Sequence, residues 1–321
     1  MALRSNKRLI LLQTESSYGT ENAPTEGEAV LVSNLSITPQ SSDVVSRNLI
    51  RPYYGASQQL LANTKVECSF SVELAGGGMT SGESPTVKVP QYGKALEACG
   101  MTVDTTVANT FKYQPSSATF PSLTIHYHVD GIIHKVLGCR GSVSITANVG
   151  EIPMLEFSFT GVYVDPTNAT LPTPQYGNQA DPVLFKNGNT TGFELLSFAG
   201  ALQSFSFDLG NEIVYRELVG GSKDVLITNR SAGGSVSIEA PPLSGSGNFD
   251  FFAPAVDDDR ALGNLQFTHG TVQGNKVQFI SDKVDIGDVA YGEQDGIVML
   301  EIPYTCVPES AANTDFSLIY T

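Results

Sequence analysis

Two long stretches of this chain repeat one another in the same order, and that duplication limits the folds open to its 321 residues more than any other feature. Val44–Glu73 recurs in looser form as Ile213–Glu239. Val44-Val45-Ser46-Arg47-Asn48-Leu49 pairs with Ile213-Val214-Tyr215-Arg216-Glu217-Leu218, and Ser69-Phe70-Ser71-Val72-Glu73 with Ser235-Val236-Ser237-Ile238-Glu239. Leu123–Gly131 aligns weakly with Leu265–Gly274, whereas Met154-Leu155-Glu156-Phe157-Ser158-Phe159-Thr160 aligns well with Met299-Leu300-Glu301-Ile302-Pro303-Tyr304-Thr305. Short alternating strands resemble one another in any all-β protein, but a shared order is harder to obtain by chance. The repeat exceeds the roughly 20–50 residues of a solenoid unit, so it points to two tandem domains.

Within the repeat the dominant signal is alternation of period two, the mark of a half-buried strand. Over Lys65–Leu74, one face carries Lys65, Glu67, Ser69, Ser71 and Glu73, and the other Val66, Cys68, Phe70, Val72 and Leu74. Ser142, Ser144, Thr146 and Asn148 alternate with Val143, Ile145, Ala147 and Val149, and Glu156, Ser158 and Thr160 with Leu155, Phe157 and Phe159. Such strands fit antiparallel sheets with one face on the core and one in water. The wet face is mostly Ser, Thr and Glu. Tyr92–Gly100 is the clearest helix, entered after Pro90 and stopped by Gly100. A less regular partner is expected near Phe249–Leu262. The expected fold is mainly β: two tandem sandwich or barrel domains, each with a short flanking α-helix. The expected divisions are an N-terminal arm over 1–32, domains over 33–166 and 182–309, a linker over 167–181 and a loosely packed tail over 310–321.

Eighteen basic against 33 acidic residues give a net charge of -15, which disfavours gripping nucleic acid or an anionic membrane. It does not exclude a surface that repels DNA. The apolar run Leu9–Leu12 is far too short for a secretory segment and no later run could span a bilayer, so the chain is expected to stay in the cytoplasm where it is made. Cys68, Cys99, Cys139 and Cys306 lack metal-type spacing and read as structural thiols.

No motif sets up catalysis. His126 and His128 would share one side of a strand, as two ligands might, but no further ligand lies convincingly near, and they read with His134 as surface strand histidines. Asp257-Asp258-Asp259 lacks the alternating oxygens, glycine bend and closing Glu of a calcium loop. Gly76-Gly77-Gly78 and Gly220-Gly221 lack the spacing of a nucleotide loop and read as hairpin tips. Glu67, Glu73, Glu156 and Glu239 could supply a carboxylate pair for sugar hydrolysis, yet the absence of Trp weakens any sugar-stacking cleft. The expectation is a building block and not an enzyme, with no catalytic residue, cofactor or metal.

Several patches then resemble a known family. Leu11-Leu12-Gln13-Thr14-Glu15-Ser16-Ser17-Tyr18-Gly19-Thr20, Ser46–Tyr53, Leu96–Gly100 and Asp130-Gly131 through Gly141 to Gly150–Phe157 together resemble the major tail tube proteins of long-tailed, siphovirus-type bacteriophages. The likeness covers most of residues 8–165 and continues faintly through Leu202–Gly210 and Asn211–Arg216. It implies a β-sandwich with a flanking helix in each half, of the kind shared with contractile-tail and type VI secretion tubes. In that family six tube domains form a ring, their inner sheets join into a barrel around a channel, and rings stack. Two domains per chain would close a pseudo-sixfold ring with three copies.

The resemblance further implies a virion tail location, assembly with itself in the host cytoplasm, and contacts with tape measure, tail terminator and distal tail proteins. Double-stranded DNA would pass transiently and no membrane would be involved. The channel wall would be Glu67, Ser69, Ser71, Glu73, Ser142, Ser144, Thr146, Glu156, Ser158 and Thr160, with Ser235, Ser237, Glu239 and Glu301 from the second half. Leu11, Tyr18, Gly76, Gly77 and Gly78, from the arm and a glycine-rich excursion, are the expected contacts between stacked rings. Rival readings are a tail terminator or other ring-forming virion protein and, from another class, a carbohydrate-binding adhesin module.

Overall fold

A computed structural model of the chain describes residues 3–82, 84–244, 247–257, 262–309 and 313–321. The first half runs β1 (Arg8–Thr14), β2 (Ser33–Ser46), β3 (Gln59–Glu73), α1 (Gly93–Ala98), β4 (Met101–Asp104), β5 (Phe111–Pro115), β6 (Leu123–Val129), β7 (Ile132–Asn148), β8 (Met154–Val162) and β9 (Thr167–Asn168). The second runs β10 (Thr190–Leu195), β11 (Leu202–Asp208), β12 (Asn211–Glu217), β13 (Lys223–Arg230), β14 (Gly233–Glu239), α2 (Phe252–Val256), β15 (Gly263–His269), β16 (Val277–Ile286), β17 (Ala290–Gln294), β18 (Ile297–Cys306) and β19 (Ser317–Tyr320). The fold is mainly β, antiparallel and poor in helix.

Each half has a front and a back sheet. In the first, β2-β3-β8-β7 form the front and β1-β6-β7-β9 the back. β7 serves both sheets because it bends where its register shifts, between Leu137 and Arg140, at Gly138 with φ +60°. A side chain at Gly138 would meet the Tyr18 ring. The second half repeats the plan, with β11-β14-β18-β17 in front and β10-β15-β16-β19 behind. Phe70, Phe157 and Phe159 stack between the first pair of sheets, and Phe205, Phe267 and Phe279 between the second. One apolar core runs through both halves.

Among the described residues, strand pairing joins the halves at two places. In front, β11 pairs with β7 from Ser204↔Asn148 to Asp208↔Ser144, which makes one sheet in the order β2-β3-β8-β7-β11-β14-β18-β17. Behind, the β4–β5 hairpin of the first half joins the second half's sheet through Leu318↔Tyr113 and Tyr320↔Phe111.

The duplicated segments become long hairpins. β2 and β3 run unbroken into a tip over residues 47–58, whereas the second half splits the same hairpin into β11–β14 and β12–β13 at Gly210, φ +63°. Beyond that break β12–β13 turns across the first half. Tyr215 OH donates to the Thr64 carbonyl at 3.2 Å, and the Arg140 guanidinium donates to the Val225 carbonyl at 2.7 Å.

Three expectations change. The N-terminal segment contains an integral back-sheet strand: β1 pairs with β6 along its length, and Leu9, Ile10, Leu11 and Leu12 are buried. Its apolar run does not alternate because Ala29 and Leu171 cover the side turned away from the main core. Residues 167–181 are tied to the first half by β9 and by Ala180 N–H donating to the Gly76 carbonyl at 2.9 Å. The C-terminal stretch is a core strand and not a loose tail, for Phe316, Leu318 and Tyr320 are buried and β19 bridges β16 and β5. The expected second helix is Phe252–Val256; the run that follows, Asp258 and Asp259 included, lies outside the described residues.

Tyr320 receives a hydrogen bond from Tyr92 OH at 3.2 Å and meets Tyr113 edge-on. Tyr320→Ala should therefore cost about 3–5 kcal/mol, like other large aromatic truncations in cores. It would appear as a lower urea midpoint at unchanged slope, where a loose tail would show no change.

Candidate functional site

The front sheet turns one face to the core and the other outward, and the outward face is a ladder of hydroxyls and carboxylates. Alternation places them there: Phe70, Phe157, Val143, Ile145, Phe205, Phe207, Val236 and Ile302 occupy the buried positions between them. Register then aligns the polar groups in rows. Ser36, Ser69, Ser158 and Ser142 form one row across β2, β3, β8 and β7. Ser71, Glu156, Ser144 and Asp208 form the next, crossing the junction between halves. Glu73, Met154, Thr146, Ser206 and Ser235 form a third, and Asn148, Ser204, Ser237, Glu301 and Ala290 a fourth.

All fourteen residues expected to line a channel lie on this face. Glu67 faces Thr160, and Glu239 faces Met299. Ser69, Thr146, Glu156, Ser158, Ser235, Glu239 and Glu301 are exposed, and Glu67, Glu73, Ser142, Ser144, Thr160 and Ser237 half-buried. Ser71 is buried, its hydroxyl accepting from Asn34 Nδ2 at 3.4 Å. Reading the sequence missed Ser204, Ser206 and Asp208 on β11 and Ser36 and Thr38 on β2. Phe205 and Phe207 between the β11 hydroxyls carried the signal. The Ser206 and Ser235 hydroxyls meet at 2.8 Å across the strand pair.

The face is acidic. Glu67, Glu73, Glu156, Glu239, Glu301 and Asp208 project from it, and the basic Lys65 is ion-paired with Glu67 at 2.9 Å. The serines' neighbours in their rows are serines, Thr146, Asn148 and carboxylates, with no histidine or lysine among them. A groove of about 460 Å³ along the face is lined by Asn34, Ser69, Ser71, Ser142, Ser144 and Glu156. Its walls are hydrophilic, unlike the mostly apolar lining of a small-molecule pocket.

The other singled-out residues serve the fold. Leu11 is buried in β1, and Gly76 donates its N–H to Asn275 Oδ1 at 2.9 Å. Side chains at Gly76 and Gly77 would collide with the Gly274 and Lys88 carbonyls, so these two glycines exist for close backbone approach. Gly78 takes φ +77° and donates to the Gly274 carbonyl at 2.9 Å. Tyr18 stacks under Arg140 at 5.0 Å and accepts a hydrogen bond from Val225 N–H. These contacts are within the chain, and Leu11, Gly76 and Gly77 have no free surface to offer a neighbouring ring.

His126 and His128 are buried and not surface residues, with His126 Nε2 2.9 Å from Glu21 Oε1. Among the described residues, no cluster of three His, Cys, Asp or Glu side chains could hold a metal ion. Cys68, Cys99, Cys139 and Cys306 are all buried and unpaired.

One sheet runs through two similar halves, polar on its outer face, and its end strands β2 and β17 each have a single strand partner among the described residues. The chain belongs to the phage tail tube protein family, whose sequence profile matches residues 5–306. No curated protein matches it. Family membership makes it a structural subunit of the virion tail that assembles with itself into a tube. Among the described residues, no helix is long and apolar enough to cross a membrane.

Burial pushes the Cys68 and Cys306 thiols up to about 12, and Cys99 and Cys139 upward as well. Native protein should leave all four thiols unmodified by a thiol reagent at neutral pH, with all four reacting after unfolding; rapid labelling before unfolding would contradict the burial. Burial also lowers His128 to about 4 from 6.5, with His126 beside it adding to the effect. The unfolded chain therefore binds more protons between those values, and stability is full above 6.5 and falls as pH drops toward 4. His126, His134 and His269 are lowered by burial too and act in the same sense. The urea midpoint should fall between about pH 7.5 and 5, less steeply in His128→Phe.

Proposed function

We propose that this chain is the major tail tube subunit, three copies closing each ring around a channel through which double-stranded DNA leaves the virion. The observation that carries this reading is the polar ladder, which crosses from one half to the other without interruption. One chain supplies eight front strands, so three supply a wall of about 24. At a spacing of about 4.8 Å such a wall measures roughly 37 Å across its backbone before strand tilt widens it. That leaves a bore for a hydrated duplex.

The chemistry of the wall suits passage. Duplex DNA carries about one negative charge per 1.7 Å of axis and is held by proteins chiefly through Lys and Arg. A hydroxyl and carboxylate surface offers it no ion pairs, so DNA slides. Glu156 and Glu301 occupy equivalent places in the two halves, and a ring therefore repeats a carboxylate at one level around the bore.

Rings stack through the first hairpin, whose tip spans 47–58 against 218–222 in the second. Ile50 and Tyr54 there are fully exposed, and Leu49 and Tyr53 are 50% and 66% exposed. Such an apolar tip is covered by a copy in the next ring. Tape measure, tail terminator and distal tail proteins meet the bore and the two ends of the tube.

Negative-stain imaging of concentrated protein should show stacked rings with three copies each; single rings that never stack would favour a terminator. Virions carrying Glu156→Lys with Glu301→Lys should keep normal tails and eject DNA several-fold more slowly. Wild-type ejection kinetics would remove the two carboxylates from the channel wall.

A further inference from the structure

The pairing between the two halves is a template for the contact between two copies. Both halves order their front strands alike, β2-β3-β8-β7 and β11-β14-β18-β17, and the chain joins the last strand of the first set to the first strand of the second. One such junction is made within the chain. The equivalent partners are left over at the two ends, β17 and β2, each an unpaired edge among the described residues.

We propose that β17 of one copy pairs antiparallel with β2 of the next, with Gly292 opposite Ser36 and Ala290 opposite Thr38, repeating the β7–β11 register. This rests on the ring reading above and gives it a residue-level seam. The register follows from the equivalences between the two halves. Met154 and Met299 correspond, and their partners are Thr146 and Gly292; Glu156 and Glu301 correspond, with partners Ser144 and Ala290. On the other side, Ser69 and Ser235 correspond, with partners Ser36 and Ser206, while Thr38 and Asp208 sit two residues further along. Within the chain Ser206 faces Thr146 and Asp208 faces Ser144. Transferring that pairing puts Ser36 opposite Gly292 and Thr38 opposite Ala290.

The burial pattern marks the same seam as unfinished. Ile145 is 1% exposed, whereas Tyr291, which stands in its place on β17, is 69% exposed. Phe205 and Phe207 are buried, whereas Leu35 and Ile37, beside Ser36 on β2, are only half-buried. The hairpins differ likewise. Ile213 and Ile227 of the second are half-buried against the first half, and the equivalent Val44 and Leu61 are 54% and 56% exposed. The first hairpin therefore crosses the second half of the neighbouring copy as β12–β13 crosses the first half of its own. A head-to-tail contact of this kind closes a ring when its rotation closes, and it covers both edges.

The test is a disulfide between Ser36→Cys and Gly292→Cys. Directly opposed strand residues lie about 4.5–5.5 Å apart at Cα, within disulfide reach. Ser36 is exposed, and a side chain added at Gly292 first meets the flexible Glu301 carboxylate at 3.2 Å. The four native thiols are buried, so they do not compete. Assembled double variant should give covalent dimers and closed trimers on a non-reducing gel, and Thr38→Cys with Gln294→Cys, whose partners would be staggered by four positions, should give none. Urea midpoints of the single variants report whether each still folds. Rings that form without the first cross-link, or that give both equally, would overturn the register and leave the ring reading standing. Chains that stay monomeric at every concentration would remove both.

Discussion

The backbone ladder between β7 and β11 is the contact on which the rest of this molecule depends. Two β-sandwiches in one chain could have been joined by side-chain packing alone, leaving relative motion as the default for a modest interface. Here five residues of β11 complete the front sheet of the first half, from Ser204↔Asn148 to Asp208↔Ser144. Backbone pairing fixes spacing, direction and register at once. A slip of one residue would turn Phe205 and Phe207 into water and Ser204 and Ser206 into the core, so the junction holds only in the alignment that keeps the polar rows continuous.

That continuity explains the division of labour between faces. Aromatic and aliphatic side chains on the buried face hold the sandwiches together, and the outward face is thereby relieved of any structural duty that would call for bulk. Serine, threonine and short acidic stretches suffice there. The glycines that approach other backbones, Gly76, Gly77 and Gly234 among them, are spent on fitting strands and loops closely. They are not spent on cradling a ligand.

Much of this is legible in the sequence. Phe70, Phe157 and Ile145 alternate with hydroxyls strictly enough to assign the wet face residue by residue, because period two leaves no other choice for a half-buried strand. What escaped has physical causes. Leu9–Leu12 does not alternate since β1 is covered on both sides, and a short apolar run carries no directional information. Phe316, Leu318 and Tyr320 do alternate, but over a strand of only four residues, too short to separate from an ordinary tail. His126 and His128 looked exposed because the segment that meets them is distant in sequence: Glu21 reaches His126, and Pro24, Thr25 and Gly27 line a cavity with both imidazoles. Leu11, Gly76 and Gly77 were legible as special and not legible as interior, since close approach and surface turns demand the same small or apolar residues.

The β4–β5 hairpin breaks the likeness between the halves. It reaches from the first half onto β19 of the second, and it lies in the 24 residues between α1 and β6, where only six residues separate α2 from β15. The junction within the chain is thus stitched on two layers and is covalent besides. If three copies close a ring as proposed above, joints within a chain would be stiffer than joints between chains, bending strain would gather at every second joint, and the tube's flexural response would follow a threefold pattern beneath a sixfold outline.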